Sequence, residues 1–484
     1  MEIRRWIEVL RANDLLQEID VEVDWRLEAG AVALMNQRVA HKAVLFNKVK
    51  DYPEWRLLGS TFCLYPYRHP WSMFNLLMGL PIDTPYRETR TEFLRRFTNP
   101  LMPIEIASAD APCKEVIKVG KEANLLDIPF LYTHMQDGGR YSTLHQIINK
   151  DPDTDWTNYG MYRFMVHGPR RAGWWAFMGQ HGPTIFYLKY DLRGKNCPFC
   201  LCMGGDLSLM VASMVSVPAG VCEADVAGGF NQAPLEVVRA ETNDLLVAAA
   251  SEVVIEGEVL AGKRSDEGPF AEITGFVSGR SKQPVCRIDC ITHRKNPILT
   301  FAQTGGSAHE GTQLAPAVSY QTYHMLTKLF RLPVADVGYF SDYWESIAMA
   351  DTSPQAKSLV ANTVFVHGIP LFTRNFVVLT DPDTYMDHGS TVLAELINCD
   401  PENDLHVTDM DVTAIPVTFH VTHEERIRGL NMASMWLDCT TSEKPQELVP
   451  RKDSFEYAFP QDLRQQVAAK WSRLGFDKPF DERR

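Results

Sequence analysis

Between Cys113 and Thr304 the chain breaks into short apolar runs separated by turns, and this texture limits the fold more than any other feature. The runs are EVIKVG, YSTLHQIINK, YGMYRFMVH, TIFYLKY, CPFCLCMGG, SEVVIEGEV, EITGFVSG, VCRIDCITHR and PILTFAQT. Alternation in YRFMVH and VCRIDCIT is the period of a half-buried strand. Many short strands joined by Gly/Pro turns predict a barrel or a sandwich. Two further runs, LSLMVASMVSVP and PLEVVRAETNDLLVAAASE, read as helical insertions.

The flanks have another texture. Residues 4–19 place Trp6, Ile7, Leu10, Leu15, Leu16 and Ile19 at roughly helical spacing, with a break at Asn13-Asp14. DVEVDWRLEAGAVALMNQR suggests a short strand and a helix. AVLFNKV and WRLLGSTF read as strands, and residues 70–110 as helix plus loop. After about Ala315, helices (AVSYQTYHMLTKLFRL, DTSPQAKSLVANTVFVHG) alternate with a buried strand, LFTRNFVVLTDPDT, and STVLAELINCD reads as the helix after it. That implies a second α/β domain with at least partly parallel strands. PQDLRQQVAAKWSRLGF reads as one amphipathic helix opening at a proline. Such a helix packs on its own domain or crosses to a partner subunit. At 484 residues the chain exceeds one ordinary core. The expected fold class is α/β (α+β, multidomain): an N-terminal α/β domain (1–112), a central barrel or sandwich (113–312) and a C-terminal α/β domain with a terminal helix (313–484).

Composition excludes some partners. A net charge of -13 argues against wholesale binding to nucleic acid or an anionic membrane. Charges interrupt the first 20 residues, so they do not read as a signal peptide, and no run of about 18 apolar residues occurs. Ten irregularly spaced cysteines point to free thiols in a reducing cytoplasm. GxGxxG, GxxxxGK[ST], GxSxG and HExxH are all absent.

Polar candidates concentrate in residues 158–181, NYGMYRFMVHGPRRAGWWAFMGQH, with Asn158, Arg163 and His181. Glu223 follows in GVCEADVAGG, and Glu267 and Glu272 in DEGPFAEITGF. Asn, His and Glu suit Mn²⁺, Mg²⁺ or Fe²⁺ better than structural zinc, although His181 also reads as a loop histidine. Glu267 and Glu272 flank a turn, where acidic residues are usually solvated. Alternatively, one orients an arginine while the other, desolvated, transfers a proton. Arg163 either snorkels or faces inward to grip a carboxylate. Cys197, Cys200 and Cys202 form C-x2-C-x-C, but on an apolar strand with no clear fourth ligand they read as small buried hydrophobes. WWAFMGQH and the apolar run around Phe270 and Ile273 suggest a hydrophobic pocket.

In this order, the segments resemble the UbiD family of reversible decarboxylases, which use prenylated FMN. The resemblance runs over about residues 4 to 440 and rests on WIEVLRANDLLQEIDVEVD, AVLFNKVKDYP, APCKEVIKVGKEANLLDIPFLYTHMQDGGRYST, NYGMYR, GQHGPTIF, ASMVSVPAGVCEADVAGG, EVVIEGEV and EGPFAEITGF. It implies that residues 113–312 form a split β-barrel that binds the flavin, and that dimers or hexamers are made through the C-terminal part. Arg163, Glu267 and Glu272 match the catalytic network, and Asn158, His181 and Glu223 match ligands of a divalent metal, usually manganese. A potassium or sodium ion would take mainly backbone oxygens near Trp156, Ala212 and Ser213, plus Glu223. Tyr162, Arg163, Gln180, Ser213, Met214 and Arg374 join the three metal ligands as expected cofactor contacts. Arg374 stands where many relatives carry a lysine, and VLAELINCDPEND lacks the Trp-Ala-x-x-Thr-Arg run common there. The implied partners are a small carboxylic acid, CO₂ and a flavin prenyltransferase. The rival readings are an assembly subunit of a larger carboxylase and a plain FMN oxidoreductase.

Overall fold

The computed structural model describes residues 1–62, 69–176, 178–215, 217–272, 275–304, 310–341, 344–367, 376–386, 389–410, 432–450 and 455–476. They fall into two compact units. The first holds the described residues of Met1–Met325 with His367 and Met432, and the second those of Leu326–Val366, Arg374–Met410 and Ala433–Arg484. No helix among the described residues is long and apolar enough to cross a membrane.

The chain opens with helix Ile3–Ala12, which buries Ile3, Trp6, Ile7 and Leu10. These lie at i, i+3, i+4 and i+7, one face of an α-helix. It ends at the Asn13-Asp14 break, where Asp14 takes a positive φ of 56°. The expected strand in DVEVD is instead the preceding Leu16–Ile19; Val23 makes a single bridge to Val49. Leu16–Ile19, Ala43–Phe46, Arg56–Gly59 and Ile298–Phe301 form one four-stranded sheet. PILTFAQT thus returns from the central region to pair in parallel with Arg56–Gly59. One apolar core joins Trp6 and Phe93 to Ile148, Leu209 and Tyr320, so segments 1–112 and 113–312 share it.

The central sheet has nine strands. In space they run Arg140–Ser142, Phe164–Gly168, Arg171–Trp174, Ser281–His293, Val253–Glu267, Cys197–Met203, His145–Lys150 and Thr157–Gly160, with Val116–Val119 also on Ser281–His293. Connectivity forces this sheet to curl. Phe164–Gly168 and Thr157–Gly160 are six neighbours apart, roughly 29 Å on a flat sheet. Only Met161, Tyr162 and Arg163 join them, a tether of at most about 14 Å. The sheet closes into a half-barrel with Tyr162 and Arg163 on the crossing.

Two expected elements differ. TIFYLKY is not a strand: helix His181–Thr184 continues through the π-helical turn Ile185–Tyr190. Only Ile185 and Phe186 are buried while Leu188 and Leu192 face solvent, so the run lacks strand alternation. PLEVVRAETNDLLVAAASE is not helical but forms the antiparallel strands Glu236–Arg239 and Leu246–Ala248. Its turn is capped by buried Glu256, which accepts from Glu241 N (2.9 Å), Thr242 N (2.8 Å) and Thr242 Oγ1 (2.8 Å). That cap lies 14–15 residues away, so local propensity could not show it.

In the second unit the strand order is Val334–Ser341, Trp344–Met349, Phe376–Thr380, Met432–Asp438, Leu405–Met410. The first pair is antiparallel and the next two are parallel, as the alternating pattern predicts. Helix Gln461–Lys470 follows Pro460, and none of its residues is buried.

Candidate active site

The barrel crossing builds an arginine-centred cluster. Arg163 is buried, and its Nε and Nη2 donate to Glu267 Oε1 and Oε2 at 2.8 and 2.6 Å, a bidentate fork. Its Nη1 donates to Glu272 Oε1 and, at 3.0 Å, to Ser278 Oγ. The guanidinium carbon lies 3.7 Å from the centre of the Trp175 ring and 4.9 Å from that of Phe270. Glu267 ends the long strand Val253–Glu267 and is fully buried. Glu272 follows the short strand Phe270–Ala271, which pairs with Val277–Ser278.

The loop between the two glutamates is tied down at each residue. Gly268 N donates to Tyr141 Oη (3.2 Å), and Pro269 O accepts from Gly138 N (2.7 Å) and Tyr141 Oη (3.3 Å). Ala271 N donates to Asp137 Oδ1 at 2.9 Å, and Ala271 O accepts from Thr304 Oγ1 at 2.6 Å. A Cβ on Gly138 would lie 2.3 Å from Gly268 O, so only glycine allows this approach.

One guanidinium faces two carboxylates, so the cluster carries one excess negative charge when all three are ionised. Glu272 takes up that imbalance. Burial pushes its carboxyl above the usual range and Glu267 adds to this, against the pull of Arg163. Burial opposes the charge on Arg163, but Glu267 and Glu272 outweigh it and hold the guanidinium above its ordinary value.

A second polar group lies on the adjoining elements. Asn158 sits on edge strand Thr157–Gly160, His181 starts helix His181–Thr184, and Glu223 starts helix Glu223–Asn231. The Trp156 and His181 rings meet edge-on at 5.0 Å, and Trp156 Nε1 donates to Val221 O at 2.9 Å. Tyr159 N donates to Glu223 Oε2 at 2.8 Å. Tyr162 Oη accepts from Gly182 N at 3.2 Å, and Tyr162 Oη and Asn158 Nδ2 both approach Gly182 closely. Helix Leu207–Met214, with Ala212, Ser213 and Met214 in its last turn, packs on both Thr157–Gly160 and Glu223–Asn231. Ser213 Oγ donates back to Leu209 O at 2.7 Å, and the last carbonyls of a helix have no partner within it. Gln180 is half-buried just before His181, and Arg374 lies outside the described residues.

This group fits a cation. Glu223 is 4% exposed and pairs with no basic side chain among the described residues. Burial raises its carboxyl to about 8, only partly offset by the Tyr159 N–H. Burial also pulls His181 down, favouring the neutral imidazole that metals take. An amide, an imidazole and a carboxylate form a hard-to-borderline donor set. No group of three or more His, Cys, Asp and Glu side chains poised for a metal occurs among the described residues; here one of the three donors is an amide.

The cysteine triplet is not such a group. Cys197 packs in one core cluster while Cys200 and Cys202 pack in another, on opposite faces of their strand. All three are buried free thiols, as expected of small hydrophobes.

The chain is similar to known proteins over most of its length. Residues 105–307 match the UbiD 3-octaprenyl-4-hydroxybenzoate carboxy-lyase Rift-related domain, and residues 7–92 match the corresponding N-terminal domain. Ferulic acid decarboxylase 1 of Candida dubliniensis is 30% identical, over 68% of this chain and 67% of its own length. The chain belongs to the UbiD family. Ferulic acid decarboxylase 1 of Saccharomyces cerevisiae is 26% identical, over 98% of both chains. The UbiD-class enzyme HmfF of Pelotomaculum thermopropionicum, solved with FMN, shares the fold at a TM-score of 0.80, with 22% identity over 96% of this chain and 98% of its own. An evolved dimeric form of HmfF, solved with prenylated FMN, has a TM-score of 0.76, with 22% identity over 95% of this chain and 99% of its own.

The sequence reading missed Trp175 as the ring over Arg163, and Ser278, Asp137 and Thr304 as supports. Ser278, between Phe276-Val277 and Gly279-Arg280, carries no distinctive local signal. For Asp137 and Thr304 no local signal exists, because their partner Ala271 is 134 and 33 residues away.

Proposed function

We propose that this UbiD-family member is a reversible, non-oxidative decarboxylase of an aromatic, heteroaromatic or α,β-unsaturated carboxylic acid and works with prenylated FMN. The observation that carries the reading is the buried Arg163 held between Glu267 and Glu272 on the crossing of the half-barrel. The named activities of its relatives and the prenylated FMN in HmfF support it.

Loss of CO₂ leaves an electron pair on carbon that side chains cannot adequately accept; prenylated FMN, when bound, supplies the electron sink. The chain's own residues do the rest. Four of the five Arg163 N–H groups already donate to Glu267, Glu272 and Ser278. Arg163 therefore sets the two carboxylates in place and offers its charge and its remaining Nη2 N–H to the substrate carboxylate. Glu267, buried and forked to Arg163, orients it. Glu272, with its raised carboxyl, delivers the proton to carbon after CO₂ departs and removes it in the reverse direction. Trp175 and Phe270 supply apolar walls that exclude water from the guanidinium.

Asn158, His181 and Glu223 hold Mn²⁺, or Mg²⁺ or Fe²⁺, against the cofactor phosphate. K⁺ or Na⁺ beside it takes Glu223 and backbone oxygens near Trp156, Ala212 and Ser213. Tyr162, Gln180, Met214 and Arg374 complete the cofactor contacts. A flavin prenyltransferase supplies the cofactor, and the enzyme works as a homodimer or homohexamer.

The test is mass spectrometry of the released flavin, with metal analysis, on protein made with and without a flavin prenyltransferase. Prenylated FMN with stoichiometric divalent metal, and CO₂ release from an aromatic or unsaturated acid, is the expected result. Plain FMN or no flavin despite the prenyltransferase would overturn the reading.

A further inference from the structure

Asn149 lies outside the residues assigned above, yet it touches two of the elements that carry them. It sits on strand His145–Lys150, directly opposite Asn158 in the antiparallel ladder, so the two amides share one face. It is fully buried. Its Nδ2 donates to Gly182 O at 2.9 Å, on the residue after His181. Only an N–H can face a carbonyl, so this contact decides which way round the Asn149 amide lies.

The orientation passes along the face. Asn149 Oδ1 points at Asn158, whose Nδ2 approaches to 3.5 Å. With its nitrogen turned to Asn149 Oδ1 and, like the Tyr162 hydroxyl, close to Gly182, the Asn158 amide has its oxygen at the end away from Asn149. Gly182 is held from two sides, its carbonyl by Asn149 and its N–H by Tyr162. A Cβ on Gly182 would lie 3.0 Å from Asn158 Nδ2, 3.0 Å from Tyr162 Oη and 3.2 Å from Asn149 Oδ1, so the four residues close round one point.

We propose that Asn149 is a positioning residue for a divalent cation: it fixes the Asn158 amide with its oxygen outward and anchors the residue after His181. The inference rests on the reading of Asn158, His181 and Glu223 as ligands. A carboxamide oxygen is a hard ligand, whereas its NH₂ has no lone pair to give. An Asn158 without this support is free to turn its NH₂ to the cation, and an unanchored Gly182 lets the imidazole drift. Partners of this kind change metal affinity by about 10–100-fold when removed.

The experiment titrates Mn²⁺ into full-length protein with FMN present and reads free Mn²⁺ by EPR. The panel is the unchanged protein, Asn149→Ala, Asn149→Ser, Asn158→Ala and the double variant Asn149→Ala/Asn158→Ala. Asn149→Ala is expected to weaken Mn²⁺ by about 10–100-fold. Because Asn149 acts largely through Asn158, the same change in the Asn158→Ala background is expected to add clearly less than it does alone. A general packing defect would instead cost the same in both backgrounds, and that outcome, or unaltered affinity in Asn149→Ala, overturns the proposal. Asn149→Ser, too short to span Gly182 and Asn158 at once, decides the matter by the same criterion if the alanine variant does not fold. Mn²⁺ binding that survives Asn158→Ala untouched sinks the ligand reading itself. Binding lost in Asn158→Ala but normal in Asn149→Ala sinks the Asn149 role alone.

Discussion

The two ends of the candidate site handle buried charge in opposite ways. At the arginine end every charge has a partner inside the chain: Arg163 forks onto Glu267 and reaches Glu272, and Ser278 accepts a further N–H. At the other end Glu223 has one backbone N–H and no basic side chain among the described residues. A buried carboxylate without a cation is costly, and the group responds by holding its proton. The first end is finished by folding, and burial, helped by the second carboxylate, raises Glu272 above the usual carboxyl range. On the proposed reading, the second end is completed by a bound cation. Substitutions at the first should therefore change chemistry and leave binding alone, and substitutions at the second should do the reverse.

The strongest test of that division is Glu272→Gln. The amide keeps the shape and gives up the transferable proton. Turnover and substrate proton exchange are expected to fall by at least about 10²–10⁴-fold, while flavin and metal content measured on the same preparation stay near those of the unchanged protein. Full activity would remove Glu272 from its role, and lost flavin would show that the two ends are not separable. His181→Ala is the converse. It should lose metal and flavin together, read by metal analysis and flavin absorbance, with Arg163 still buried. Normal occupancy of both would count against the ligand assignment.

This division was only partly legible in the sequence. The barrel texture was, because period-2 alternation in YRFMVH and VCRIDCIT is a local property. The curl of the sheet was not, since it follows from pairing order, and pairing order depends on contacts such as Gly257 with Ile288 that lie far apart in the chain. The six polar residues were visible one by one, but spacing gave no reason to unite them. Arg163 and Glu267 meet across 104 residues, and only the family resemblance joined them beforehand. Asn149 was invisible for a different reason: in IINKD it looks like a polar residue at the end of a strand, and its role depends on its register against Asn158. TIFYLKY misled because a β-branched and aromatic run does not reveal which residues will be buried, and PLEVVRAETNDLLVAAASE because the Glu256 cap on its turn lies 14–15 residues away.

Asp137→Asn has an intermediate effect. Asp137 accepts from Thr133 Oγ1, His134 N and Ala271 N. An amide in its place must turn an NH₂ toward one of these donors, leaving a buried donor unpaired at about 1–3 kcal/mol. The Ala271 peptide sets where Glu272 stands, so kcat is expected to drop by about 10-fold for a misplacement worth roughly 1.4 kcal/mol. Metal content should be unchanged. The pH sign follows from the group itself. Burial works against ionised Asp137, but its hydrogen bonds from His134, Ala271 and Thr133 outweigh this and hold it below the ordinary value. A depressed carboxyl stabilises the fold above its unfolded pKa and loses that as pH falls through the folded one. Thermal unfolding should show the deficit of Asp137→Asn near neutrality and its narrowing in acid. A variant with altered metal content would break the comparison.

The smallest effect sharpens it most, because it asks for opposite shifts from two neighbours of one carboxyl. Glu272 must be protonated to deliver its proton, so decarboxylation should fall as pH rises through its raised pKa. Glu267 pushes that pKa up by like-charge repulsion, while a hydrogen bond from Ser278 pulls it down by favouring the charged form. Glu267→Gln should therefore move the alkaline limb of kcat to lower pH, with a loss of rate because Arg163 loses half of its fork. Ser278→Ala should move the same limb to higher pH with little loss of rate. Neither change touches Glu223, so metal affinity should be the same in both variants at any one pH. Limbs that move together would mean that a different group sets the profile, and Glu272 would then lose its claim to be the proton donor even if Glu272→Gln is inactive.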